Sequence, residues 1–485
     1  QAMQICQEEL RGYDRSRLPE YLAKEEEVEK TVSLLMQSAR PVVLLGHGVR
    51  LSHAAGQAVR LCEQMGIPVL VSWNGVDLIE EEHPLYYGRP GTVGHRAANL
   101  ILQKADFVLT IGSRLNLLST GYCYEGFLRN AKHVMVDIDV HEMEKKSVHP
   151  YLKIVCDAGD FIRRMLDMLQ AGTKNPARIE CMNRTESADV SENPGRMEIP
   201  DGAKGKKTSE NPGGMESTDI NGSIGRAEKT GGTADPDRRG WLRCCDMLKR
   251  KYPVFIPQQD AAPGYVSSYH LIHELSGLMT GEDIYQFTSS GTTADIAMKS
   301  FEIKRGQRAF LTKGLAAMGY DLPASIGSCI ASGGRRTVCV TGDGSASMNM
   351  QELEVIHRLN LPVKIFVAQN EGYGMIYGTQ QGNFHGRLTG STRQSGLTLP
   401  DLRKVAEAFG IKGMHIQNED RLRQQIKAVL DYDGPVVCTY HADIAQKILP
   451  KQANYMRKDG QMASRPLEDM APLLDREELA ECMRN

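Results

Sequence analysis

The sequence predicts an α/β protein built from two doubly wound parallel-sheet domains joined by a disordered linker. Three observations predict it. Short apolar runs alternate with helical patterns over residues 28–171 and again over 241–449, as strands do when helices cover both faces of a parallel sheet. The composition changes abruptly between these stretches. The chain is 485 residues long and 41% hydrophobic, enough for two or three domains with sizeable cores.

Residues 1–27 read as a polar connector. In the first domain, Pro41 to Leu45 (PVVLL) reads as a buried strand, Ala54 to Met65 as a helix and Ile67 to Val71 as the next strand. Phe107 to Ile111 (FVLTI) and His133 to Ile138 (HVMVDI) follow as strands, and Phe161 to Leu169 closes the domain as a helix. Residues 172–240 are rich in Gly, Ser, Thr, Asn, Glu and Lys, and SENPGRME at 191–198 recurs as SENPGGME at 209–216. Such a segment buries too little apolar surface to offset its ordering entropy, so it reads as a disordered linker without a catalytic role. In the second domain, Arg336 to Thr341, Val363 to Ala368 and Pro435 to Tyr440 read as strands. Residues 450–485 form a tail.

The formal net charge is −2, which gives no electrostatic case for nucleic acid or a membrane surface as partner. No apolar run approaches the length of a bilayer span, and Gln1 to Tyr13 is unlike a signal peptide. The eleven cysteines include no C-x-x-C pair. Reduced thiols in a cytoplasmic protein, with no zinc site and no disulfide framework, are the expectation.

The chemistry concentrates at residues 336–374. The strand RTVCVT runs into Gly342-Asp343-Gly344-Ser345, a helix is expected from Asn349 to Arg358, and the strand VKIFVA runs into Gln369-Asn370-Glu371-Gly372. This is a βαβ unit whose two strands should lie parallel and close together. Asp343 and Asn370, 27 residues apart, then fall just past adjacent strand ends, where parallel sheets bind ligands. A carboxylate, an amide oxygen and the Gly372 carbonyl make a hard oxygen set suited to Mg²⁺. Gly342 and Gly344 allow close approach to a phosphate, and Ser345 can offer its hydroxyl and N–H to an anion. A lone GDG is usually only a turn; its spacing to Asn370 is what points to a ligand site.

GDGSASMNMQELEVIHRLNLPVKIFVAQNEGYGMI resembles the diphosphate-binding motif of thiamine-diphosphate enzymes, a GDG followed one βαβ unit later by an Asn pair. Gln369 stands for the first Asn, which is not the metal ligand. Over almost all of the chain but the linker, the sequence resembles the large subunit of acetolactate synthase, especially the acetolactate-synthase-like proteins of surface-polysaccharide pathways. The resemblance implies thiamine diphosphate and Mg²⁺ as cofactors, a 2-oxo acid such as pyruvate as substrate, and two-carbon transfer to an acceptor. Simple decarboxylation is the alternative activity. The resemblance places LTKGLAAMGYDLPASIG (311–327) under the centre of the cofactor, with Ala316 in contact and Met318 as an apolar prop. An ordinary core Met is the other reading. By the same resemblance Tyr373, Gly374 and Met375 border the cofactor. Gly291-Thr292-Thr293-Ala294 falls where relatives have Gly-Gln-His-Gln against the diphosphate. Gly291 and Thr292 keep that place, the His is gone, and a helix start with Thr caps is the alternative.

The first domain carries a second, open question. VVLLGHGVR places Gly46 and Gly48 at a strand-to-helix turn, but Leu51 stands where a dinucleotide fingerprint needs Gly. Tight packing explains these glycines equally well. The resemblance implies FAD here, since acetolactate synthases bind it in this domain. The corresponding segments are GHGVR (46–50), GRPGT (88–92), GSRLN (112–116), VDID (136–139) and CDAGD (156–160). Gly112, Arg114, Asp137 and Asp157 are the expected contacts. The second Arg of the synthase motif is absent, and in flavin-free relatives the domain only joins its neighbours.

His270 and His273 sit at i, i+3 on an expected helix with no carboxylate at ligand spacing, so surface or structural roles are expected. The stretch 466–478 reads as a surface segment, although in relatives it closes over the site. The family's activating Glu belongs to an N-terminal pyrimidine-binding domain, usually of a partner subunit. The first residues here resemble the stretch that follows that domain. The chain therefore reads as the C-terminal two thirds of a longer homo-oligomeric enzyme or as half of a split one, with a non-catalytic cofactor-binding remnant as the competing class.

Overall fold

The structure, a computed structural model, describes residues 20–174, 236–254 and 262–484. The connector up to residue 19 and the repeat-bearing linker at 175–235 lie outside the described residues.

Strands β1 (Pro41–Leu45), β2 (Val69–Val71), β3 (Phe107–Ile111), β4 (Lys132–Asp137) and β5 (Leu152–Val155) form one sheet in the order β2-β1-β3-β4-β5. All of its pairings are parallel. Every residue of β1, β2 and β3 is buried, as a sheet covered on both faces requires. Alternation divides β1 between two cores. Val43 and Leu45 join Val28, Leu35, Phe161 and Ile162 on one face. Val42 and Leu44 join Leu100, Ile101 and Trp241 on the other.

The second sheet contains β6 (Ile284–Phe287), β7 (Arg308–Phe310), β8 (Thr337–Gly342), β9 (Val363–Gln369), β10 (Lys412–Ile416) and β11 (Val436–His441), in the order β10-β11-β9-β8-β6-β7. It too is parallel throughout. β8 and β9 are neighbours in register Thr337↔Val363 through Gly342↔Ala368, as the βαβ reading requires.

Three local expectations are corrected. The helix expected over Asn349 to Arg358 is broken: Ser347–Glu352 is a 3₁₀ segment with Asn349 at φ −136°, ψ 37°, and Leu353–Arg358 is the α-helix. The cause is long-range, because the Asn349 amide donates to the Gly319 carbonyl at 2.8 Å. The linker does not reach residue 240, since a helix spans Pro236–Lys251. Pro suits a first helical turn, where its missing N–H has no partner to lose. That helix also packs with the first domain. Trp241, Cys245 and Leu248 join the core around Leu100, and the Trp241 indole donates to the Pro41 carbonyl at 3.0 Å.

The tail straps the same face. Arg96 donates to the carbonyls of Met470 and Pro472, Asn99 to that of Leu467, and Gln103 to the Glu468 carboxylate. The two domains are riveted by buried polar groups. Arg89, only 2% exposed, donates to the carbonyls of Met298 (2.9 Å) and Phe301 (2.7 Å) and to Glu81 (3.1 Å). Asp77 pairs with Arg50 at 3.0 Å and with Arg308, across the domain boundary, at 2.7 Å. Trp73 and Val76 are buried among Phe287 and Phe301 of the second domain.

Candidate functional site

β8 delivers Gly342 to the sheet edge, and a helical turn, Asp343–Ala346, starts there. The Asp343 carboxylate is 2% exposed. It accepts three backbone N–H groups: Gly344 on Oδ1 at 2.8 Å, Asn370 on Oδ2 at 3.0 Å and Glu371 on Oδ2 at 2.7 Å. Burial pushes its pKa up to about 6, against the pull of those N–H groups. Asn370, past the end of β9, turns its Oδ1 to accept the Gly372 N–H at 3.1 Å. Glu371 turns the chain with φ 54°, and Gly372 bridges to Thr392. Asp343, Asn370 and Gly372 are thus brought into one turn network.

Close packing at glycines shows what else converges. A Cβ on Gly344 would lie 2.6 Å from the Tyr373 ring and 3.4 Å from Met318 Cε. A Cβ on Gly374 would lie 2.8 Å from Thr292 Oγ1 and 3.6 Å from Asn370 Nδ2. Gly291 (φ 91°) caps the helix Thr292–Ser300, and Tyr373 precedes the helix Gly374–Asn383. Gly342 faces open space, with nothing within 4 Å of a Cβ there. Ala316 holds φ 54° in the segment that carries Met318. Met318 and Met375 are exposed at 37% and 44%.

Ser345 differs from its expected use. Its hydroxyl donates to Asp321 Oδ1 at 2.9 Å and accepts the Gly319 N–H at 3.0 Å, so it is committed to the protein. Asp321, fully buried and also bonded by Thr341, was not singled out in the sequence. A carboxylate inside the apolar run DLPASIG was the available signal. The buried ion pair Lys313–Asp295 at 2.5 Å was also missed. Lys313 lies 5.3 Å over the Trp73 ring, and the Ser289 hydroxyl at the end of β6 has no partner among the described residues.

In the first domain a cavity of 470 Å³ opens at the carboxyl ends of the strands. Gly48, Gly112, Arg114, Asp137 and Asp157 line it, and Gly314 of the second domain reaches its wall. Gly46 is not in that wall: a Cβ there would meet the Gly112 carbonyl oxygen at 2.2 Å, so it serves close packing. Two expected contacts have partners inside the chain. The Arg114 guanidinium pairs with Glu142 at 3.0 Å, and Asp157 Oδ1 accepts the N–H groups of Gly159 and Asp160 at a helix start. Burial pushes the Asp137 carboxyl up.

His270 pairs with Glu419 at 3.1 Å and with Glu274, one turn further along the same helix, at 3.8 Å, and His273 pairs with Glu302 at 3.5 Å; a carboxylate at helical spacing is present after all, contrary to the expectation of none. No group of three or more His, Cys, Asp or Glu able to hold a metal occurs among the described residues. Likewise no described helix is long and apolar enough to cross a membrane.

Adjacent strand ends carrying an acid and an amide, ringed by small residues and helix starts, define the class of α/β proteins that hold phosphorylated ligands at a sheet edge. The chain belongs to the thiamine pyrophosphate enzymes. Residues 28–165 match the thiamine pyrophosphate enzyme central domain and residues 289–440 the C-terminal TPP binding domain. The chain is 26% identical over 411 residues to the acetolactate synthase large subunit of Cyanidium caldarium, covering 85% of this chain and 59% of that one. It is 27% identical over 431 residues to the probable acetolactate synthase large subunit of Methanococcus aeolicus, covering 88% and 62%. Against the acetolactate synthase isozyme 1 large subunit of Escherichia coli it is 24% identical over 426 residues, covering 88% and 62%. The chain therefore spans about 60% of the length of these relatives.

Proposed function

We propose that this chain binds the diphosphate end of thiamine diphosphate through Mg²⁺ and takes part in decarboxylating a 2-oxo acid, pyruvate first, with transfer of the two-carbon unit to an acceptor. The observation that carries this reading is the joining of Asp343 and Asn370 at adjacent strand ends. The relatives named acetolactate synthase support the reaction type.

The residues fit the cofactor. Asp343, the Asn370 amide oxygen and the Gly372 carbonyl form the oxygen set for a hard cation. A Cβ at Gly342 would meet nothing within 4 Å, so the backbone there is open to approach by a phosphate. The first turns of the helices Thr292–Ser300 and Gly374–Asn383 offer backbone N–H groups to an anion, with the Thr292 hydroxyl beside them. Met318 supplies the apolar support. The bound cofactor supplies the carbon chemistry by which CO₂ leaves a 2-oxo acid. The protein's part is to fix the diphosphate, orient the reacting end and exclude water. No described glutamate is assigned to activate the aminopyrimidine; an oligomer in which another subunit supplies it accords with the reading.

The test is CO₂ release from pyruvate by the purified chain with Mg²⁺ and thiamine diphosphate. Turnover supports the enzyme. Metal-dependent binding without turnover favours a cofactor-binding remnant or half of a split enzyme, and metal-independent binding counts against the site. For the first domain we propose that the strand-end cavity takes the nucleotide part of FAD, which the Gly48–Gly112 edge and Asp137 line. Flavin absorbance in the purified protein tests it; reconstitution with FAD that leaves no bound flavin rejects it.

A further inference from the structure

A second buried carboxylate stands beside the sheet edge and takes no part in the oxygen set for the cation. Asp321 begins the helix Asp321–Ala331 and is fully buried. No lysine or arginine pairs with it among the described residues. Two hydroxyls meet it instead. Thr341 Oγ1 donates to its Oδ2, and Ser345 Oγ donates to its Oδ1 at 2.9 Å. A carboxylate taken out of water is costly unless such bonds replace the water.

The two hydroxyls stand at opposite ends of one turn. Thr341 precedes Gly342 at the end of β8, and Ser345 follows Gly344 in the helical turn Asp343–Ala346. Asp321 therefore brackets Gly342-Asp343-Gly344 from both sides. Ser345 passes the hold on. Its Oγ accepts the Gly319 N–H at 3.0 Å, and the Gly319 carbonyl accepts the Asn349 amide at 2.8 Å. Gly319 is thus gripped through both of its backbone groups. It stands at φ 83°, and a Cβ there would come within 2.8 Å of Met348 Cβ. Met318 is the residue before it, and Met318 Cε lies 3.4 Å from where a Cβ on Gly344 would be. One chain of hydrogen bonds, Asp321 to Ser345 to Gly319, joins the turn of Asp343 to the backbone that carries Met318. A buried charge is weak evidence for a stabilising role, since apolar residues often serve stability as well. Its bonds to both ends of the turn, and through Ser345 to the Met318 segment, are what a role in placing the two requires.

We propose that Asp321 is a positioning residue of the cofactor site, which fixes the spacing between the turn of Asp343 and the apolar prop Met318. The proposal rests on the thiamine diphosphate reading of this sheet edge. Asp321 itself touches neither metal nor cofactor, because both of its oxygens are spent inside the protein. The spacing matters only to a ligand that meets both the turn and the prop. Thiamine diphosphate is such a ligand, and inorganic diphosphate meets the turn alone.

Calorimetry of the full chain in Mg²⁺, with each of these two ligands, tests the proposal. Asp321→Ala should weaken thiamine diphosphate binding about tenfold or more, on the scale of losses from residues that orient a metal site, and inorganic diphosphate binding much less. Asp321→Asn, which keeps an oxygen for the Ser345 hydroxyl, should restore most of the affinity. Combined with Met318→Ala, Asp321→Ala should bind thiamine diphosphate no more weakly than the weaker single variant, because both act through the same contact. If Asp321→Ala fails to fold, Ser345→Ala takes its place beside Met318→Ala. Losses that multiply in the double variant overturn the proposal. Equal losses for the two ligands do so too, as does an Asp321→Asn variant as weak as Asp321→Ala. A parent that binds both ligands while Asp321→Ala binds them as tightly overturns the positioning role alone. A parent that binds neither ligand overturns the cofactor reading, and this proposal with it.

Discussion

The backbone N–H of Asn370 donates to Oδ2 of Asp343 at 3.0 Å, so the turn that carries the amide is itself built on the carboxylate. The two residues act as one unit. Asp343 orients the turn after β9 through Asn370 and Glu371, and that turn holds the Asn370 amide through Gly372.

Asp343→Asn keeps the shape of that side chain and removes its charge. It should weaken Mg²⁺-dependent binding of thiamine diphosphate by about a hundredfold or more, on the scale of losses at metal sites. Calorimetry with and without Mg²⁺ checks this. Gln369→Ala should change affinity much less. Equal effects of the two substitutions would refute the assignment of Asp343 as ligand.

Gly342 and Gly344 should separate binding from packing. A Cβ on Gly342 meets nothing within 4 Å, so Gly342→Ala should leave the stability of the cofactor-free protein within about 1 kcal/mol of the parent. Its cofactor affinity should fall about tenfold, because the methyl occupies the space assigned to phosphate. Gly344→Ala drives a methyl to 2.6 Å from the Tyr373 ring and should lower stability as well. Urea unfolding and cofactor titration of both variants make the comparison.

Arg89 holds the two domains together from a site 2% exposed. Arg89→Met should cost about 3 kcal/mol, since it leaves the Met298 and Phe301 carbonyls and Glu81 without their partner. The expected signature in urea is separation of one transition into two as the domains uncouple. A single unchanged transition would show that the rivet carries no coupling.

His133 gives the pH prediction. Its ring is buried beside Thr110, 3.0 Å from the hydroxyl, and burial lowers its pKa from 6.5 to about 3. Between these values the unfolded chain binds a proton that the folded chain does not, so stability falls as pH drops from about 6.5 toward 3. The difference between parent and His133→Gln in urea midpoint, measured at pH 7 and pH 4.5, isolates this contribution. The parent should lose more on acidification than the variant; equal losses would contradict the assignment.

Several elements were legible because their causes are local. PVVLL and FVLTI are runs of residues buried on both faces, and such runs announce a parallel strand wherever they occur. β5 and β10, largely exposed at the sheet edges, and the three-residue β7 carried no comparable signal. The GDG turn and the Asn after β9 were readable for the same reason, since each follows a strand whose end can be placed to within a residue or two.

What the sequence by itself determined is the alternation of strands and helices, the split into two domains and the resemblance that points to a thiamine diphosphate site at Asp343 and Asn370. The tertiary structure decided the rest. It joined the helix Pro236–Lys251 and the tail to the first domain, and it broke the helix at Asn349 through the Gly319 carbonyl. It turned the Ser345 hydroxyl toward Asp321, used Asp157 as a helix cap and made Arg89 of the GRPGT segment an interdomain rivet. The physical reason is the range of the forces involved. Strand and helix patterns repeat over two to four residues and are written in neighbouring side chains. A buried hydrogen bond such as that from Arg89 to Met298 joins groups 209 residues apart, and only the packing of whole domains brings them together.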